Sequence, residues 1–81
     1  MSAELERNPL WLILVETVHA LPMYPSHKAY VRDSLILESP AISAEELSLR
    51  LGIPLGEAMV ILQEIEKERH QKAADEHPDD A

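Results

Sequence analysis

The chain has no cysteine, no phenylalanine and only two glycines, Gly52 and Gly56. The lack of cysteine rules out disulfide bridges and thiol chemistry. Two glycines cannot make a Gly-rich phosphate loop. Basic residues are also scarce, 7 against 15 acidic, for a net charge of −8. The C-terminal acids do not account for the deficit, because residues 1–72 hold 7 basic and 11 acidic residues, still −4. Nucleic-acid binders usually carry at least a local basic excess, so broad phosphate binding is disfavoured. A long apolar run is missing as well. The stretch from Leu10 to Leu21 is interrupted by Glu16 and His19 and is shorter than the ~20 residues a membrane span needs. The opening "MSAELER" is acidic where a secretory leader would be basic, so a cytoplasmic protein with no membrane partner is expected.

What is present is a chain of 81 residues rich in Leu, Ile, Val and Ala, a length suited to one helical domain. Such a chain buries only about 60% of its unfolded surface, and without disulfides it gains from pairing with another chain. Prolines divide it. Asn8 reads as an N-cap before Pro9, and a first helix is expected over about 9–21, stopping before Pro22. Ser26 can cap a second helix over about 27–38. Ser43 with Glu46 forms a capping box, the strongest local signal in the chain, and opens a third helix over 44–51. Gly52 can stop that helix in a left-handed conformation. A fourth helix follows from Pro54 to about Arg69. The whole reads as an all-α, four-helix domain over residues 1–72, with 73–81 a disordered acidic tail. No segment alternates with a strand period, and no C-terminal β-wing is expected.

Helical phase assigns the faces. In the fourth helix Leu55, Ala58, Met59, Ile61, Leu62 and Ile65 form an apolar stripe. Glu57, Gln63, Glu64 and Lys67 lie opposite, with Val60 alone among them. The first helix is apolar nearly all round: Leu10, Trp11, Leu14, Val15, Val18 and Leu21 face one way, Leu12 and Ile13 the other, beside Glu16 and His19. The second helix also carries apolar residues on two sides, Tyr30 and Leu37 on one, Val31 and Leu35 on the other. A small monomer has little material to cover so many faces. A C2 homodimer through Trp11, Leu12, Ile13 and Val15 is the simplest expectation, with Trp11 as anchor.

The stretch "ISAEELSLRLGIPLGEAMVILQEIEKE" resembles the helix-turn-helix core of winged-helix regulators, over about residues 27–69. The matching positions are Glu46 and Leu47, then Leu51, Gly52 and Ile53, then Ala58, Leu62 and Ile65. The resemblance implies a helix-turn-helix unit in which Leu47, Leu51, Ala58 and Leu62 pack and Gly52 turns the chain. It implies DNA contact from the start of the last helix, where Leu55, Gly56, Glu57, Met59 and Val60 stand. Base reading needs Arg, Lys, Asn or Gln, and these residues are apolar or acidic. Leu55, Glu57, Met59 and Val60 are therefore expected to bind a protein partner. The alternative is a DNA-binding regulator using Lys28, Arg32 and Arg50 on phosphates.

Catalytic and metal chemistry have little to rest on. The four histidines lack metal-ligand spacing, and His70, Asp75, Glu76 and His77 read as solvated side chains. Ser34, Ser39 and Ser43 have no His/Asp arrangement beside them in sequence. Neither an enzyme nor a cofactor is expected.

Overall fold

Local chemistry marks the element boundaries. Asn8 is extended, and its side chain accepts from the Leu10 N–H at 2.9 Å, with Pro9 in the first turn. Ser43 is also extended and accepts from the Glu46 N–H at 3.1 Å, so the Ser43 half of the capping box is formed. Gly52 sits at φ 67°, the left-handed region that a Cβ disfavours. Ser48 pins this turn. Its carbonyl accepts from the N–H groups of Gly52 and Ile53, and its hydroxyl donates to the Ile53 carbonyl at 2.6 Å.

The computed structural model describes the backbone of residues 3–76 and the side chains of residues 4–71. It is all-α, with no strand among the described residues. Helix α1 is Ala3–Arg7 and α2 is Pro9–His19. Helix α3 runs from Tyr24–Tyr30 through a π-helical turn, Val31–Leu35, and closes over Ile36–Glu38. Helix α4 is Ala44–Leu51 and α5 is Leu55–Glu76. No helix among the described residues is long and apolar enough to cross a membrane.

Helix α5 is central: α2, α3 and α4 all pack against its first half. The core combines Trp11 and Val18 of α2, Tyr24, Val31 and Leu35 of α3, Leu47 of α4, and Ala58, Val60, Ile61 and Ile65 of α5, with Ile42 and Ile53 from the connections. At Gly56 the approach of α2 is so close that a Cβ would stand 2.8 Å from Leu14 Cδ1. From Glu66 to Gln71 every residue is exposed, so α5 projects beyond the body. The molecule accordingly measures 43 × 31 × 22 Å.

Several elements differ from those read in the sequence. The short helix α1 precedes the first expected one, and α2 ends at His19 rather than Leu21. Helix α3 begins at Tyr24, not His27, because Pro25 fits the first helical turn instead of excluding it, and Ser26 makes no cap. Helix α5 begins at Leu55 rather than Pro54 and continues past Arg69 to Glu76. Its distal half has no apolar stripe to detect, but it is built from good helix formers, with Glu66 and His70 paired at i, i+4. The expected tail thus starts inside a helix, and residues 77–81, including His77, lie outside the described residues.

Candidate interaction surface

Two faces break the usual rule of polar outside and apolar inside. The first is on α5. Glu57, Val60 and Glu64 stand at i, i+3 and i+7, which places them on one side of the helix. That side is covered. Val60 is 0% exposed and Glu57 only 3%. The Glu57 carboxylate accepts from His27 Nδ1 of α3 at 2.7 Å. Glu64 accepts from the Tyr24 hydroxyl and from His19 Nε2, the latter at 2.8 Å. Lys28 reaches Glu64 at 3.4 Å and Glu68 at 2.5 Å. Donors from α2 and α3 therefore seal the acidic side of α5, and Val60 is buried between the sealed carboxylates.

Burial raises the Glu64 carboxyl, but the bonds from Tyr24 and His19 and the charges of His19 and Lys28 outweigh it. Its pKa ends below the ordinary carboxylate value. The Tyr24 phenol is pushed far up, by burial first and then by its bond to Glu64 and the negative charges of Glu64, Glu68 and Glu57.

The second face is the outer side of α2. Trp11 and Val18 point into the core, and Leu14 and Val15 are half-buried at its edges. Leu10, Leu12 and Ile13 are 67%, 64% and 57% exposed. Leu55, next to the Leu14–Gly56 contact, is exposed too. Glu16, at i+4 from Leu12 and i+3 from Ile13, lies between them on this side of α2 and is exposed, as are Glu4 and Glu6 of α1.

The candidate residues divide between these two settings. Of the expected partner-binding set, Leu55 is exposed and Met59 half-buried. Glu57 and Val60 are interior and present no surface, because α2 and α3 cover the side of α5 that helical phase assigned to solvent. Of the expected dimer set, Leu12 and Ile13 are exposed and Val15 is half-buried. Trp11 is a core residue, turned inward by the phase of α2, and cannot anchor a contact with another chain. Of the three cations, Lys28 is held by Glu64 and Glu68 with its side chain mostly buried, and Arg32 pairs with Asp33 at 3.0 Å. Asp33 raises the Arg32 guanidinium pKa, and Arg32 lowers that of Asp33. Arg50 is exposed and lines an open cleft of about 290 Å³ between α3 and α4, with Tyr30, Leu35, Glu38 and Leu51. Lys28 and Arg32 stand at i, i+4 on α3, both near Glu68, and Arg50 is on α4.

The cluster of His19, Tyr24, His27 and Glu64 was missed from sequence, although a signal exists. Val60 set among Glu57, Glu64 and Glu68 at helical spacing marks a second covered stripe, and the donors that cover it follow one another at the end of α2 and the start of α3. No group of three or more His, Cys, Asp or Glu side chains among the described residues is placed to hold a metal ion. The chain matches none of the protein families, curated proteins or solved structures with which it was compared.

Proposed function

We propose that the protein is a non-enzymatic, cytoplasmic interaction module that engages a protein partner through the outer face of α2. One observation carries this reading: Leu10, Leu12 and Ile13 are all more than half exposed on a helix whose opposite side is in the core. Single exposed aliphatics are ordinary, whereas three within one turn, beside the exposed Glu16, favour a contact surface. The face takes the place of the start of α5, where two of the four expected contact residues are interior. Within this proposal, α4 and α5 form a helix-turn-helix-like scaffold. The burial of Leu47 and Ala58 and the left-handed Gly52 support that view.

The DNA-binding alternative needs free cations, and Lys28 and Arg32 are engaged by the chain's own carboxylates. Titration of labelled duplex DNA at low salt tests it. No binding is expected. Binding that weakens steeply with salt and is lost in Arg32→Ala with Arg50→Ala overturns the protein-interaction reading. A second measurement addresses α2. In Leu12→Asp with Ile13→Asp, binding of a hydrophobic dye should fall while the thermal midpoint holds. A midpoint lowered by many degrees makes these residues part of the core and removes the proposed surface.

A further inference from the structure

The π-helical turn of α3 shapes the cleft that α3 forms with α4. In this turn the Ile36 N–H donates to the Val31 carbonyl, five residues back, so the turn takes up one extra residue. Tyr30 and Glu38 are eight residues apart and would stand about 80° apart around a regular α-helix. The extra residue cuts this to about 20°, which puts both on one side of α3. Both line the cleft, whose volume is about 290 Å³. Leu35, which is buried, and Leu51, which is half-buried, give it apolar walls, and Arg50 of α4 lines it too. Small-molecule pockets span roughly 300–1,000 Å³, so a cleft of this size suits a small ligand.

The charges in this cleft differ from the others on α3. His27 meets Glu57, Lys28 meets Glu64 and Glu68, and Arg32 meets Asp33. Among the described residues, Glu38 and Arg50 make no ion pair, with each other or with any other side chain. One anion and one cation therefore line the same cleft unmatched, beside the half-exposed Tyr30. We propose that this cleft binds a small zwitterion, an α-amino acid with an apolar side chain. Arg50 takes the carboxylate, because a planar guanidinium can donate two parallel N–H bonds to it. Glu38 accepts from the ammonium group. The apolar side chain lies on Leu35 and Leu51, next to Tyr30. The cleft shares no residue with the outer face of α2, so this proposal and the protein-binding reading stand or fall separately.

The test uses the full chain, isotope-labelled, and follows its backbone amide NMR signals as L-leucine is added. Three analogues serve as probes of each charge: leucine amide lacks the carboxylate, N-acetylleucine lacks the ammonium, and N-acetylleucine amide lacks both. Leucine should give saturable shifts centred on the cleft, with a Kd of about 1 mM or tighter. Leucine amide and N-acetylleucine should each bind at least about fivefold more weakly, and N-acetylleucine amide should not saturate. Arg50→Ala should weaken leucine at least about fivefold and leave leucine amide unchanged, while Glu38→Gln should do the same to leucine and leave N-acetylleucine unchanged. Both positions are exposed, and the same spectra establish that the variants remain folded.

Shifts that do not saturate by about 10 mM leucine overturn the proposal. Equal binding of N-acetylleucine amide also overturns it, because the charges then play no part. A loss in Arg50→Ala with none in Glu38→Gln makes the cleft a carboxylate site and removes the zwitterion. Saturable shifts that neither substitution alters place the ligand elsewhere and overturn the assignment to this cleft.

Discussion

The inner side of α5 and the outer side of α2 are opposites. On α5, carboxylates point inward and are satisfied. On α2, aliphatic side chains point outward and are more than half exposed. A buried carboxylate is costly unless hydrogen-bonded partners meet it, and α2 and α3 supply them: His19, Tyr24, His27 and Lys28. An exposed leucine costs little by itself, so no pressure within one chain forces Leu12 or Ile13 to be covered. Residue type alone therefore does not say which side of a helix is inside. The neighbouring helices decide it, by offering or withholding partners.

Matched substitutions can break this contrast. Val60→Asp should abolish cooperative folding, because it buries an unpaired charge among Glu57 and Glu64 at a cost of at least several kcal/mol. The same change on α2, Ile13→Asp, should move stability by no more than about 0.5 kcal/mol. Thermal melts followed by circular dichroism compare the two, and equal losses would erase the distinction between the faces.

His27→Ala should come next. It leaves the Glu57 carboxylate buried without its partner, a loss of about 2–3 kcal/mol by urea denaturation. The figure is set below that of a fully buried pair because His27 is partly exposed. Adding Glu57→Gln to His27→Ala should recover part of the loss, since the charge then disappears with its partner. A double variant no more stable than the single one would mean that His27 acts by packing alone.

The pH profile sharpens the account of Glu64. Its folded pKa lies below the ordinary value of 4.5, so its contribution is fully present above that pH and is lost as pH falls through the folded value. Tyr24 behaves in reverse: with a folded pKa raised above 10.0, its contribution holds below pH 10 and fades as pH climbs toward the folded value. Tyr24→Phe should remove the alkaline limb and weaken the acid one, because Glu64 loses a donor. Unchanged limbs in a pH titration of stability would disconnect the pair from folding.

Smaller again is Ser43→Ala, which removes the cap of α4 and should cost about 1 kcal/mol, read by the same denaturation curves. It controls for local effects, because Ser43 belongs to neither of the contrasted faces.

Features that depend on a few adjacent residues were legible in the sequence. The caps at Asn8 and Ser43, the left-handed stop at Gly52 and the full span of α4 were read to the residue, because each rests on backbone hydrogen bonds or sterics within one turn. The all-α class followed from helical periodicity. The start of α3 was misplaced because Pro25 suits a first turn as well as a break. The far end of α5 was missed because exposed helix has no apolar rhythm.

The candidate site was legible only in part. Helical phase found that Leu12 and Ile13 oppose the core face of α2, and they remain the centre of the proposed surface. It could not find that Trp11, Glu57 and Val60 are all buried. Phase describes one helix in isolation, and α5 is not isolated. Its acidic side is inside because α2 and α3 cross it carrying histidine, tyrosine and lysine at the positions the carboxylates require. By itself the sequence determined where the helices cap and turn, through interactions within a few residues. Only the tertiary structure decided which of their faces meet and which one is left for a partner, because that choice rests on contacts between residues 30 to 45 positions apart.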